Sequence, residues 1–309
     1  MREKSAKKNT GVLAGMDLGG SKIEVILLDN EGRELFRKRQ PTPKNDYGAT
    51  LRVIRELHRE LESAAGHPLK LGIGTPGSPS PETGLMRNAN STCLNGQNLH
   101  QDLQQTLDRP VRIANDADCF ALSEAVDGAA KDASVVFGVI LGTGAGGGIT
   151  VNRELLRGSN AITGEWGHNS LPWPKLEELP GPACYCGKYG CIETFLSGPG
   201  LAADHLRRTG VKLTAREIAH LAEQEDAEAE ITLQTYEDRL ARGLASVINI
   251  LDPHAIVLGG GLSQMRRLYE NVCRRWQQYI FSDVFHTRLL PPRHGDSSGV
   301  RGAAWLWRD

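Results

Sequence analysis

The sequence predicts an α/β protein in which one fold is built twice, with a cleft between the halves. Two observations carry that prediction. Two β-prone runs, 12–16 and 23–28, flank the turn Asp17-Leu18-Gly19-Gly20-Ser21-Lys22, and two more, 134–141 and 149–152, flank Gly142-Thr143-Gly144-Ala145-Gly146-Gly147-Gly148. Each pair is followed by stretches with helical apolar spacing that alternate with short apolar runs, the pattern of an α/β layer.

A chain of 309 residues is long enough for two domains, each with its own core. A formal net charge of −1 leaves no basic footprint for nucleic acid or a membrane surface. No apolar run approaches the roughly 20 residues of a membrane helix. Residues 1–10 are charged and lack an apolar signal core, so they read as a flexible tail. These features place the chain in the cytoplasm, with neither nucleic acid nor membrane as a partner.

The first glycine turn can cradle phosphate through its backbone N–H groups and Ser21. Asp17 at its entrance can hold Mg²⁺, a hard cation that prefers oxygen. Residues 34–39 predict a third strand, broken at Thr42-Pro43, and 50–64 a helix with Leu51, Ile54, Leu57 and Leu61 on one stripe. A short strand over 69–74 ends in the shaped turn Thr75-Pro76-Gly77-Ser78-Pro79. The polar run Asn88-Ala89-Asn90-Ser91-Thr92 suits either a hydroxylated ligand or a surface loop. A helix over 99–107 and a strand over 111–114 follow. That strand delivers Asn115-Asp116-Ala117-Asp118 at its carboxyl end, where open α/β sheets gather ligands, before a helix over 119–126. An aspartate there either caps the helix or stands ready for chemistry.

The second turn contains a formal G-x-G-x-x-G, but a strand follows it where a dinucleotide fold needs a helix. Residues 194–208 predict one helix, and Thr214-Ala215-Arg216-Glu217 is a capping box opening another. A long helix runs through Leu240, Leu244, Val247, Ile248 and Leu251 and stops at Asp252-Pro253. A buried strand over 255–258 ends in Gly259-Gly260-Gly261, where the backbone can lie flat against a planar ring such as adenine. Helices over 262–280 and 299–307 close the chain.

The densest chemistry lies within the second half. Cys184, Cys186 and Cys191 fall within eight positions among glycines, and His168 of Gly164-Glu165-Trp166-Gly167-His168 is near enough to be a fourth ligand. Cys₃His is a closed set that suits structural zinc. A disulfide is the alternative, and reduced surroundings favour the metal. Cys93, Cys119 and Cys273 are scattered singly and read as small buried hydrophobes. Glu165 and Glu193 flank the set. A metal-bound histidine keeps its second ring nitrogen for a hydrogen bond, so His168, Glu165 and Glu193 could together face a ligand with many hydroxyls.

Taken jointly, these motifs resemble the ROK family of sugar kinases. The likeness rests on the 17–22 turn, Asn115-Asp116-Ala117, Leu141-Gly142-Thr143-Gly144, the 164–168 segment, the cysteine claw and Gly259-Gly260-Gly261. It implies paired ribonuclease-H-like domains of the actin-like ATPase kind: 11–118 with 299–309, and 119–298 carrying a zinc-binding insertion. It implies ATP-dependent phosphorylation of a hexose at its 6-hydroxyl, with Asp116 as general base. Gly77, Asn90, Asn115, Asp116, Glu165, His168 and Glu193 would hold the sugar. Asp17, Gly19, Gly20, Ser21, Lys22, Gly142, Thr143, Gly144 and the triple glycine would hold ATP with Mg²⁺, and zinc would sit on His168, Cys184, Cys186 and Cys191. The stretches 88–96, 171–173 and 294–299 look like those of bacterial fructokinases, also called mannofructokinases, so the expected sugar is fructose. The alternative is N-acetylglucosamine or glucose, and the expected assembly is a homodimer. A repressor of the same family would carry an N-terminal DNA-binding domain, and a silent sensor would be expected to lose Asp116.

Overall fold

A computed structural model describes residues 11–308; the tail expected over 1–10 lies outside the described residues. The chain divides into two compact units, the first running through Cys119 and resuming at Gly299, the second spanning Phe120–Ser298.

In the first unit, β1 (Val12–Leu18), β2 (Lys22–Asp29) and β3 (Glu34–Pro41) form an antiparallel meander. The β1–β2 register pairs Leu18 with Ile23, leaving the glycine turn at the tip. β2 is buried along both faces, as its near-continuous apolar run requires. Helix α1 (Tyr47–Ala65) starts at the Asp46 cap and ends on Gly66 in the left-handed conformation. β4 (Leu71–Thr75) then joins β1 in parallel. After a two-stranded ribbon of β5 (Ser78–Pro79) and β6 (Met86–Arg87) come α2 (Leu99–Leu107) and β7 (Val111–Asn115), which pairs in parallel with β4. The registers set Asp17 beside Gly74 and Thr75 beside Asn115. Parallel strands thus carry Asp17, the 75–79 loop and Asn115-Asp116 to one carboxyl edge of one sheet. Helix α3 (Asp116–Val126) opens directly at that edge.

The second unit repeats the scheme. β8 (Val135–Leu141), β9 (Ala145–Val151) and β10 (Glu154–Leu155) form the meander. β11 (Ala255–Gly259) and β12 (Arg288–Leu290) add in parallel, giving β10-β9-β8-β11-β12 against β3-β2-β1-β4-β7 in the first sheet. The helices between are α4 (Ile192–Leu196), α5 (Gly198–Thr209), α6 (Ala215–Glu223), α7 (Ala227–Leu251) and α8 (Arg267–Trp276). Helix α9 (Ser298–Trp305) returns to the first unit, where the Arg112 guanidinium donates to the Leu306 carbonyl at 2.5 Å and lies 4.0 Å from the Trp307 ring centre.

Three expectations need correction. The helix expected over 194–208 is two, because Ser197 is extended and its hydroxyl caps Gly200 N–H, while Pro199 has no N–H to continue the first helix. The helix expected over 262–280 begins as a 3₁₀ turn, Gly261–Gln264, with the Ser263 hydroxyl donating to the Gly260 carbonyl at 2.7 Å in competition with helical bonding. Cys119 is buried as expected, but Cys93 and Cys273 are only half-buried. Among the described residues no helix is long and apolar enough to cross a membrane.

One buried charge cluster pins the proline-rich excursion onto α7. Glu178 accepts from Arg239 at 2.8 Å, from both terminal nitrogens of Arg242 at 2.7 and 2.8 Å, and from Lys175 N–H at 2.8 Å. Arg242 also donates to the Trp173 carbonyl at 2.8 Å, and Arg239 pairs with Asp204 at 2.9 Å. Burial by itself would raise the Glu178 carboxyl, but the hydrogen bonds from Arg242 and Arg239 overcome it and hold it at about 2. Its stabilising contribution is therefore complete above the ordinary carboxyl value of about 4.3 and is lost as the pH falls toward 2. Glu178→Gln removes the shared carboxylate but leaves Asp204 on Arg239 and Asp238 on Arg242, so denaturant unfolding should show a loss of about 1.5–3 kcal/mol at neutral pH, shrinking at acid pH.

Candidate functional site

The claw is built on tight local backbone. Cys184 N–H donates to the Lys188 carbonyl at 2.8 Å and Gly187 N–H to the Cys184 carbonyl at 3.0 Å, closing a knuckle. Bridges of Ala183 with Tyr189 and Ser170 with Cys191 hold its base. His168 comes from a separate 3₁₀ turn, Trp166–His168. Trp166 anchors that turn: it is buried, its indole N–H donates to the Gly146 carbonyl on β9 at 3.0 Å, and its ring meets Phe137 edge to face.

The ligating atoms of His168, Cys184, Cys186 and Cys191 all lie within 4.8 Å of one another. Cys186 and Cys191 sulfurs are 3.6 Å apart, and Cys184 Sγ is 3.5 Å from His168 Nδ1. A tetrahedral ion with metal–sulfur bonds of about 2.3 Å requires sulfur pairs about 3.7 Å apart, so the residues fit. The sulfurs sit in different surroundings. The Lys188 backbone N–H holds the Cys186 thiol below its ordinary range, whereas burial pushes Cys191 up to about 12. The Cys191 thiol accordingly donates to the His168 carbonyl at 3.6 Å.

Helix α4 begins immediately after Cys191, which puts Glu193 in its first turn. Glu193 Oε2 accepts from Ala145 N–H at 2.9 Å, tying the claw to the second glycine turn. A Cβ on Gly144 would stand 2.5 Å from that oxygen, so a side chain there would require the Glu193 carboxylate to move. The turn is further held by Gly198 N–H on the Gly142 carbonyl at 2.8 Å. Gly142 and Thr143 line an open cavity of about 990 Å³ with Gly261, Pro199, Arg216 and His220. Two of the expected ATP-holding segments thus meet in one cavity. The α6 residues in its wall escaped the sequence reading, where the capping box signalled only a helix start; both halves of that box form. Glu165 is exposed at the head of the 3₁₀ turn.

The first unit assembles the remaining candidates. Asn115 Oδ1 accepts from Ala117 N–H at 2.9 Å and its amide donates to the Gly77 carbonyl at 3.2 Å. Asp116 Oδ1 accepts from the same N–H at 2.8 Å, so Asn115 and Asp116 share the cap of α3. Gly77 is left-handed, and a Cβ on it would strike the Arg87 carbonyl at 2.3 Å. Asp17 is half-buried and faces Asp116 and Glu24; loss of solvation first, then those charges, push its carboxyl up to about 7. Glu24 itself is taken up by Arg37 and Arg39, which leaves Asp17 as a carboxyl at this edge with oxygen to offer a hard cation. Lys22 pairs with Glu24 at 3.7 Å. Two holding residues escaped the sequence reading. Thr42 donates through its hydroxyl to the Gly19 carbonyl at 2.7 Å, and the Asn95 amide brackets Ala89 at 2.9 Å on both backbone groups, supporting the loop that exposes Asn90.

The family model described as "ROK family" matches residues 13–309. The chain belongs to the ROK family. The ROK chain is 39% identical over 296 residues to an N-acetyl-D-glucosamine kinase of Yersinia enterocolitica, covering 94% of this chain and 98% of the relative. A ROK hexokinase from Thermus thermophilus superposes with a TM-score of 0.85 at 30% identity, covering 95% and 97%. A ROK glucokinase from Streptomyces griseus, in complex with glucose and AMPPNP, gives 0.76 at 26%, covering 96% and 99%. The paired ribonuclease-H-like fold of the actin-like ATPases holds for this ROK protein. The fructose expectation is not supported: these relatives favour the alternative sugars.

Metal capture by this set must displace the Cys191 proton, so apparent affinity should rise with pH through the neutral range. Calorimetry in buffers of different ionisation enthalpy should register at least one proton released at pH 7. Cys186→Ser should weaken metal binding by more than the roughly 10- to 100-fold that loss of an outer partner costs.

Proposed function

We propose that this ROK-family sugar kinase transfers the γ-phosphoryl group of ATP to the 6-hydroxyl of N-acetyl-D-glucosamine. One observation carries the choice of sugar: the 39% identity with an N-acetyl-D-glucosamine kinase runs through 94% of the chain, so it takes in both units. Glucose is the second reading, supported by the glucokinase likeness. Phosphoryl transfer needs positioning and charge neutralisation more than covalent help. Asp116 accepts the proton of the attacking hydroxyl. Asn115 orients Asp116's segment and, with Gly77 and Asn90, contacts the sugar, as do Glu165, His168 and Glu193. The turns carrying Asp17, Gly19, Gly20, Ser21 and Lys22 and then Gly142, Thr143 and Gly144 bind the phosphates. Gly259, Gly260 and Gly261 face the adenosine. Mg²⁺, held through Asp17, neutralises phosphate charge when bound. The Cys₃His set takes zinc in a structural role. The same reading keeps the protein in the cytoplasm, where thiolates stay reduced, and makes it a homodimer.

A coupled assay with ATP should give N-acetyl-D-glucosamine the highest kcat/KM among it, glucose, mannose and fructose; fructose in first place would overturn the assignment. Asp116→Asn retains the bond from Ala117 N–H and the helix cap but loses the base. Its kcat should fall at least about 10²-fold with sugar affinity and metal content little changed. Turnover near wild type would reduce Asp116 to a capping residue.

A further inference from the structure

His168 has two ring nitrogens, and each has a neighbour. Nδ1 faces Cys184 Sγ at 3.5 Å inside the ligating set, and Nε2 stands 2.9 Å from the Tyr185 hydroxyl. A ring that gives its Nδ1 lone pair to a metal must carry its proton on Nε2, and the Tyr185 oxygen is then the acceptor within reach. The rings meet edge to face, centroids 5.0 Å apart and planes at 88°. Tyr185 is part of the claw, standing between the ligands Cys184 and Cys186. It is 79% exposed, so burial of apolar surface does not hold it there. The knuckle backbone carries it, and its side chain meets His168 through both hydroxyl and ring.

We propose that Tyr185 is a positioning residue for the metal: by accepting from Nε2–H it fixes the tautomer and ring angle of His168 and so sets how tightly the ion is held. The proposal rests on reading the Cys₃His set as a zinc site. It also places a competitor at the nitrogen otherwise available to a sugar hydroxyl, since any such hydroxyl must share or displace the Tyr185 oxygen.

The experiment uses the purified holoprotein. Elemental analysis comes first, and wild-type protein without zinc would sink the zinc reading itself. Zinc affinity is then measured by competition with a chromophoric chelator for wild type, Tyr185→Phe and Tyr185→Leu. Phenylalanine keeps the ring contact and loses the oxygen, so affinity should fall about 10-fold, and leucine should cost at least as much. Nitrogen-15 NMR of His168 should show faster exchange of Nε2–H with water in Tyr185→Phe, a change that a merely structural ring would not produce. Zinc-loaded wild type with an unchanged Tyr185→Phe affinity would overturn the role of Tyr185 while leaving the metal site standing. So would a shift in sugar KM with zinc affinity unmoved, which would assign the hydroxyl to the substrate instead.

Discussion

The hydrogen bond from Ala145 N–H to Glu193 Oε2 is the point on which the second unit turns. It joins two segments 48 residues apart: the glycine turn after β8 and the helix that springs from the last metal ligand. Charge-assisted bonds to a carboxylate are among the stronger ones a fold can make. A side chain at Gly144 would have to displace the accepting carboxylate. The claw and the glycine turn are therefore ordered together.

A second constraint acts from beneath. The excursion from Asn169 to Cys184 has little regular structure and cannot satisfy its own carbonyls. Arg242, almost wholly buried, supplies donors to the carbonyls of Pro172 and Trp173 and is neutralised by Glu178 and Asp238. Such an ion cluster adds little net stability over a packed apolar core, but it fixes one loop conformation against α7. The stretches behind the fructose expectation belong to this kind of work. Asn95 is spent on the backbone of Ala89, and residues 172–173 on Arg242. A likeness in such stretches reports how a loop is built, not which sugar it meets.

The two units share a sheet order and differ in chemistry. The first gathers carboxylates at the ends of parallel strands, where Asp17 is driven toward neutrality by burial and by Asp116. The second gathers soft thiolates and an open cavity. Oxygen donors and sulfur donors are thereby gathered in separate units, the former of the kind hard cations prefer and the latter of the kind soft ones prefer.

Much was legible in the chain because the signals are local. Alternating β-prone runs around glycine turns specify the two meanders. The Cys₃His spacing specifies a metal-sized cluster, and Asp116 at the end of a strand marks the edge where chemistry gathers. Helix ends at Ser197 and Met265 were missed because a single hydroxyl, or a proline one turn late, outweighed a continuous apolar pattern. By itself, then, the sequence determined the repeated α/β plan, the Cys₃His cluster and the strand-end aspartates, all of which depend on neighbours close in the chain. Only the tertiary structure decided that Thr42 pins Gly19, that Glu193 pins Ala145, that Arg242 holds the excursion and that Tyr185 claims the second nitrogen of His168. Most of those contacts join residues many positions apart, and the last depends on the fold of the knuckle. Their partners are chosen by which backbone groups folding leaves unsatisfied, and that is a property of the packed chain.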